Sequence, residues 1–113
     1  MLYIIFMDMF SALGQPTRRE IIELLAQKGQ LSATDISQRF DMSAPAISQH
    51  LKVLHASNLV SVEKKAQQRL YKINPNAIEE LDKWFRKLKK EWEERLDRLD
   101  ILLKEEKRRR GVK

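Results

Sequence analysis

Met42-Ser-Ala-Pro-Ala-Ile-Ser-Gln-His-Leu-Lys-Val-Leu54 is the stretch on which the reading of this chain turns. Ser43 has the side chain of a helix N-cap, and Pro45 is tolerated in a first turn because its missing N–H has no intrahelical partner there. Ile47, Leu51 and Leu54 then fall on one face, and Ser57-Asn58 supplies a stop. At about 100° per residue, Pro45, Ser48, Gln49 and Lys52 lie opposite that apolar stripe. His50 sits nearer the apolar side, about 60° from Ile47, where a packed, structural histidine and an exposed contact are both open. Immediately upstream, Ser32-Ala-Thr-Asp35 resembles a capping box, followed by Ile36 and Phe40 at i, i+4 and an end by Asp41-Met42. Two short helices joined by a turn of three or four residues make a helix-turn-helix candidate.

Working outward, Met9, Phe10 and Leu13 suggest a short amphipathic helix stopped near Gly14-Gln15-Pro16. Thr17-Arg-Arg-Glu20 fits a capping box for the next helix, whose Ile21, Ile22, Leu24 and Leu25 form a buried stripe ended by Gly29. Downstream, Leu59–Glu63 and Leu70–Ile73 alternate apolar and polar as half-buried strands do. They predict a two-stranded hairpin whose tip, Lys64-Lys-Ala-Gln-Gln-Arg69, lacks the glycine of a tight turn and is expected to be a longer, floppy loop.

Asn74-Pro-Asn supplies a turn and cap, and from Ala77 no breaker appears until Gly111. A helix of about 30 residues, some 45 Å long, is expected. Its apolar residues Ile78, Leu81, Phe85, Leu88, Trp92, Leu96, Leu99 and Leu103 form a near-heptad seam with one four-residue stutter from Trp92 to Leu96. Eight such side chains at about 1.5–3 kcal/mol each give more than about 10 kcal/mol per chain before entropy is subtracted. The seam predicts a homodimer joined through Phe85, Leu88, Trp92, Leu96, Leu99 and Leu103. Glu91/Arg95, Glu94/Arg98 and Asp100/Lys104 are i, i+4 pairs worth only a few tenths of a kcal/mol each.

The whole chain has 113 residues, 13.4 kDa and a formal charge of +6. One domain with an appended helix is the expectation at that length: residues 1–75 as the helix-turn-helix unit with an N-terminal arm, residues 76–113 as a long dimerisation helix and basic tail. The absence of cysteine excludes disulfides, thiolate zinc sites, iron–sulfur clusters and a cysteine nucleophile. No glycine-rich phosphate loop and no His–carboxylate–nucleophile set is present, so no catalytic function is expected, and no cofactor. The apolar start Met1–Met7 is too short to span a bilayer and lacks the basic region and cleavage site of a signal peptide, so the expected compartment is the cytoplasm. It reads as a hydrophobic arm buried in a dimer or as residues ahead of the native start, with Met7 and Met9 as alternative initiators; a membrane role is the residual reading.

Charge is unevenly distributed. Residues 1–40 balance four basic against four acidic side chains, whereas residues 43–73 carry Lys52, Lys64, Lys65, Arg69 and Lys72 against Glu63 alone. A balance of +4 on the third helix and hairpin is where a DNA reader places its cations. Glutamine pairs bidentately with adenine, serine donates or accepts at either base edge, and lysine reaches a phosphate or guanine. The candidate DNA-binding residues are therefore Ser43, Pro45, Ser48, Gln49, His50 and Lys52 on the helix, with Lys64, Lys65, Gln67, Gln68 and Arg69 at the hairpin. The terminal Lys107–Arg110 run reads as a solvated tail with a minor, non-specific role.

Three further segments add to the first: Leu13-Gly-Gln-Pro-Thr-Arg-Arg-Glu-Ile-Ile-Glu-Leu-Leu25, Asn58-Leu-Val60 and Arg69-Leu-Tyr71. In this order and spacing, over roughly residues 8–75, the chain resembles the ArsR/SmtB family of winged-helix bacterial repressors. The resemblance implies a mostly helical fold with a small β-hairpin wing and a homodimer whose recognition helices enter successive major grooves of an inverted repeat, with the wings on flanking DNA. It implies Ser48 and Gln49 as readers, Pro45 and His50 beside them, and Gln68 and Arg69 in the wing. Metal-sensing members carry cysteines in a Leu-Cys-Val-Cys-Asp-Leu pattern; here Leu31-Ser-Ala-Thr-Asp-Ile36 puts Ser32 and Thr34 in their place. A hydroxyl is no soft-metal ligand, and the last helix has no histidine, so the chain resembles the metal-independent branch.

The expectation is a sequence-specific DNA-binding regulator that represses by occluding promoter DNA. The alternative is a winged-helix protein-interaction module without specific DNA binding, which predicts no basic bias on the wing. The effector stays open at this point: a small apolar molecule between the arm and the long helix, a partner protein, or none.

Overall fold

The computed structural model describes residues 2–111, with side chains from Asp8 onward. Five helices and three strands follow the order α1 (Leu2–Leu13), α2 (Pro16–Lys28), β1 (Gln30–Ser32), α3 (Ala33–Gln38), α4 (Ala44–Ala56), β2 (Val60–Lys65), β3 (Gln68–Ile73) and α5 (Pro75–Arg109). The expected arm is helical in its backbone from Leu2, while the side chains of its apolar stretch lie outside the described residues. The chain divides into two compact units, Met1–Ile78 and Glu79–Lys113.

In the first unit each helix start is set by a local side chain. The cap of α2 is Gln15 and not Thr17: the Gln15 side chain accepts from the Arg18 N–H at 3.0 Å, and Pro16 occupies the first helical position. Proline causes the shift, because it biases the residue before it towards extended backbone, and Gln15 has φ −101° and ψ 126°. Gly29 closes α2 with φ 87°, its N–H returning to Leu25 O at 2.8 Å. Ser32 caps α3 through the Asp35 N–H at 3.0 Å, and Ser43 caps α4 through the Ala46 N–H at 3.3 Å. Helix α3 ends at Gln38, earlier than expected, leaving Phe40 half-buried in the turn.

Met9 and Ala12 of α1, Ile21 and Leu25 of α2, Ile36 of α3 and Ile47, Leu51 and Leu54 of α4 make the core, closed by Leu59 and Val60. Of the stripe expected on α2, Ile22 and Leu24 are only half-buried. Helix α4 packs on α1, α2, α3 and β2, so its stripe is fixed by four neighbours.

The sheet has three strands, not the two expected, in the order β1-β3-β2 and antiparallel throughout. Strand β1 is three residues long, with Leu31 opposite Tyr71, and shows no alternation that a sequence pattern can register. Strands β2 and β3 also run further than expected. The register Lys64↔Arg69 and Lys65↔Gln68 leaves only Ala66 and Gln67 in the turn, in place of a floppy six-residue loop. Ala66 takes the positive φ, 56°, that such tight turns normally give to glycine.

Asn74 joins β3 to α5. Its N–H donates to Leu59 O at 3.0 Å, its side-chain amide to Asn58 O at 3.0 Å, and its side-chain oxygen accepts from the Asn76 N–H at 3.1 Å. The second unit is the remainder of α5. The full helix has 35 residues, about 52 Å, and after Leu81 every described side chain is exposed except half-buried Glu106. Asp100–Lys104 pairs as expected at 3.1 Å, while among the described residues the other ion pairs are Asp82–Arg86, Lys89–Glu93 and Glu106 with both Arg109 and Arg110. These are exposed and contribute little.

Candidate nucleic-acid interface

Helix α4 divides cleanly. Ile47, Leu51 and Leu54 are 0–1% exposed, and Ser43, Pro45, Ser48, Gln49 and Lys52 all face outward. The outer face is therefore held by an immobile inner one, so its polar groups are positioned by packing and not by their own contacts. Because Ser43 and Pro45 define the first turn, the helix N-terminus, with its free N–H groups and positive dipole end, lies on the same side as these residues.

His50 is half-buried, and its Nδ1 lies 3.4 Å from Arg18 Nη1. A guanidinium has donors and no free acceptor, so in this contact Nδ1 can serve only as the acceptor. The same guanidinium donates from Nε to Ala12 O at 2.6 Å and from Nη2 to Ser11 O at 3.4 Å. Arg18 thus ties the last carbonyls of α1 to α4. Sequence reasoning missed it because it stands within a charged run, Arg18-Arg19-Glu20, whose members look equivalent until the fold separates them.

A cleft of about 280 Å³ runs between α3 and α4, with Thr34, Ser37 and Gln38 on one side and Ala44 and Ser48 on the other. The α3 polar residues were not among the sequence candidates; the signal available was their placement on the helix before the recognition helix.

On the hairpin, Lys64, Lys65, Gln67, Gln68 and Arg69 are all exposed. Residues directly opposite in an antiparallel pair share a face, which puts Lys64 and Arg69 side by side. Like charges in that position disfavour the hairpin, and neither side chain makes an ion pair among the described residues. The described residues contain no group of three or more His, Cys, Asp or Glu placed to hold a metal ion, and none of their helices is long and apolar enough to cross a membrane.

Residues 15–62, from the α2 cap to the start of β2, match the model of the bacterial regulatory protein, arsR family. The chain is 35% identical over 77 residues to the transcriptional repressor SdpR of Bacillus subtilis, covering 68% of this chain and 84% of that protein. The chain belongs to the ArsR family. An ArsR-like transcriptional regulator from Rhodococcus sp. RHA1 has the same fold, with a TM-score of 0.75 and 28% identity over 87% of this chain and 92% of that one. The arsenical resistance operon repressor of Staphylococcus xylosus is 37% identical over 62 residues, 55% of this chain and 59% of that protein.

As an ArsR-family protein the chain is a DNA-binding transcriptional regulator with a winged helix-turn-helix fold. In these terms α3 and α4 are the helix-turn-helix, and β2–β3 is the wing.

Proposed function

We propose that this ArsR-family regulator is a repressor that acts as a homodimer, its two α4 helices reading successive major grooves of an inverted repeat. Ser48 and Gln49 read base edges, Ser43, Pro45 and Lys52 set the approach of the helix, and His50 sits beside them. Lys64, Lys65, Gln67, Gln68 and Arg69 hold the flanking backbone. Residues 1–75 carry DNA binding and 76–113 carry dimerisation through Phe85, Leu88, Trp92, Leu96, Leu99 and Leu103. No catalysis and no cofactor enters, and the setting is the cytoplasm, where the promoter is.

The observation that carries this reading is the outward amide-and-hydroxyl face of α4 beside a hairpin whose opposed cations, Lys64 and Arg69, lack an acidic partner. A protein-docking surface has no need to set like charges against each other. The dimer is supported by the seam: its six residues are 45–58% exposed in the single chain. Covering the exposed half of each gives about 5–9 kcal/mol per chain before ordering costs.

The test is binding of a duplex selected from a random pool, followed by fluorescence anisotropy against unrelated DNA. With about eight phosphates contacted, log K falls with log salt at a slope near −7. Equal affinity for selected and unrelated duplexes refutes the reading.

A further inference from the structure

The first part of α5 carries a cationic stripe unlike the rest of the helix. Lys83, Arg86, Lys87 and Lys90 are spaced so that, at about 100° per residue, they share a face about 100° wide. All four are exposed. The stripe lies about 180° around the helix from Leu81, Phe85, Leu88 and Trp92, so joining two seams leaves it open to solvent. Its length along the axis is about 10 Å, from a rise of about 1.5 Å per residue.

These charges work against the helix that holds them. Lys83–Lys87 and Arg86–Lys90 are like-charge pairs at i, i+4, and Lys83–Arg86 and Lys87–Lys90 at i, i+3; each disfavours the helix. Arg86 has an acidic partner in Asp82 at 2.8 Å, but Lys83, Lys87 and Lys90 make no ion pair among the described residues. Elsewhere on α5 the signs are interleaved, with Lys89 on Glu93, Lys104 on Asp100 and Arg110 on Glu106. The outer face itself turns to mixed sign past the stripe, through Glu94, Asp97 and Arg98, and Glu79 precedes it. The patch is therefore bounded at both ends.

We propose that Lys83, Arg86, Lys87 and Lys90 form a further DNA contact on each protomer, holding the phosphate backbone of duplex that flanks the recognised site. Three of the four cations are lysines, point charges without the planar fork that suits paired carboxylates. Trp84, Phe85 and Leu88 fall outside the stripe, so no apolar anchor stands among the cations as the centre of a protein interface requires. Four cations hold a free duplex weakly, but flanking DNA is tethered to the site already bound and reaches a high effective concentration at the patch. Phosphate contacts carry no sequence information, so this one adds affinity and not base preference. The inference rests on the DNA binding proposed above.

The test uses two duplexes carrying the same selected repeat, one ending at its edges and one extended on each side by about one and a half helical turns, about 15 base pairs. Full-length wild type is compared with a triple variant, Lys83→Gln, Lys87→Gln and Lys90→Gln, exposed changes that keep helix propensity. In fluorescence anisotropy across a salt series, the wild type gives a steeper slope on the long duplex than on the short one. The triple variant loses about five from the long-duplex slope, at about 0.9 for each of three cations on two protomers, and matches the wild type on the short duplex. Arg95→Gln, Arg98→Gln and Lys104→Gln together remove the same charge from the distal part of α5 and leave the difference between the duplexes intact. Equal wild-type slopes on the two duplexes, a change below about one in the triple variant, or an equal loss in the distal variant overturns the proposal. A loss on the short duplex as well places the cations at the recognised repeat, and capture of a second, separate duplex assigns them to bridging; either result overturns the flanking contact. No preference for the selected duplex over unrelated DNA refutes the regulator's reading of DNA itself, whereas a retained preference without a length effect overturns only this contact.

Discussion

Removing one guanidinium tests whether α1 and α4 are joined as the structure indicates. In Arg18→Ala, Ala12 O loses a partly buried donor at 2.6 Å, and Ser11 O and His50 Nδ1 lose contacts at 3.4 Å. The short bond is made by a charged donor and is worth about 1.5–3 kcal/mol, while contacts at 3.4 Å are near the geometric limit and add little. The charge also sits at the C-terminal end of α1, where a cation is favoured by a few tenths of a kcal/mol or more. The expected loss is therefore about 2–3 kcal/mol, a large share of a small domain's stability. Urea denaturation reads it as a fall in midpoint at an unchanged slope, with protein concentration held fixed because dimerisation adds to stability. Arg18→Lys restores less than half, since one ammonium does not span Ala12 O and His50. The control is Arg19→Ala, whose exposed side chain donates only to Leu13 O at 2.7 Å and should cost about 1 kcal/mol or less. Equal losses in the two alanine variants, or a loss below about 0.5 kcal/mol in Arg18→Ala, refute the special role of Arg18.

Gln49→Ala should cost about 1–3 kcal/mol on the selected duplex and relax base preference, whereas Lys64→Ala should weaken all sequences alike and reduce the salt slope by about one; anisotropy on matched and mismatched duplexes separates them. Ser43→Ala removes the cap of α4 and should lower stability by about 1 kcal/mol in urea titration, with Ser43→Asp retaining the wild-type value. Ala66→Gly should stabilise the wing by about 0.5 kcal/mol, because relief of a positive φ exceeds the added chain entropy; a lowered thermal midpoint contradicts the turn geometry.

Much of the helix-turn-helix was legible in the chain because its determinants are local. Ser32, Ser43 and Gly29 act within a few residues of themselves, and the i, i+4 spacing of Ile47 and Leu51 already separates an inner from an outer face. The same logic misplaced the start of α2, where two local signals competed and the restriction imposed by Pro16 on Gln15 prevailed over the Thr17–Glu20 pattern. The tip of the wing was misread for a related reason: no glycine marks it, and the ladder pairs on both sides force Ala66 into a conformation its own preference opposes.

By itself the sequence determined the N-caps of α3 and α4, the period of each helix, the polar face of α4 and the apolar row of α5, all written within one or two turns of chain. Only the tertiary structure decided that Gln30–Ser32 joins the sheet, that Lys64 stands opposite Arg69, and that Arg18 reaches both Ala12 and His50. Those outcomes depend on residues 32 positions apart for Arg18 and His50, on residues 38 to 42 apart for β1 and β3, and on backbone register for Lys64 and Arg69; none leaves a periodic trace, because a hydrogen bond across the fold needs only the right distance and not a repeating pattern.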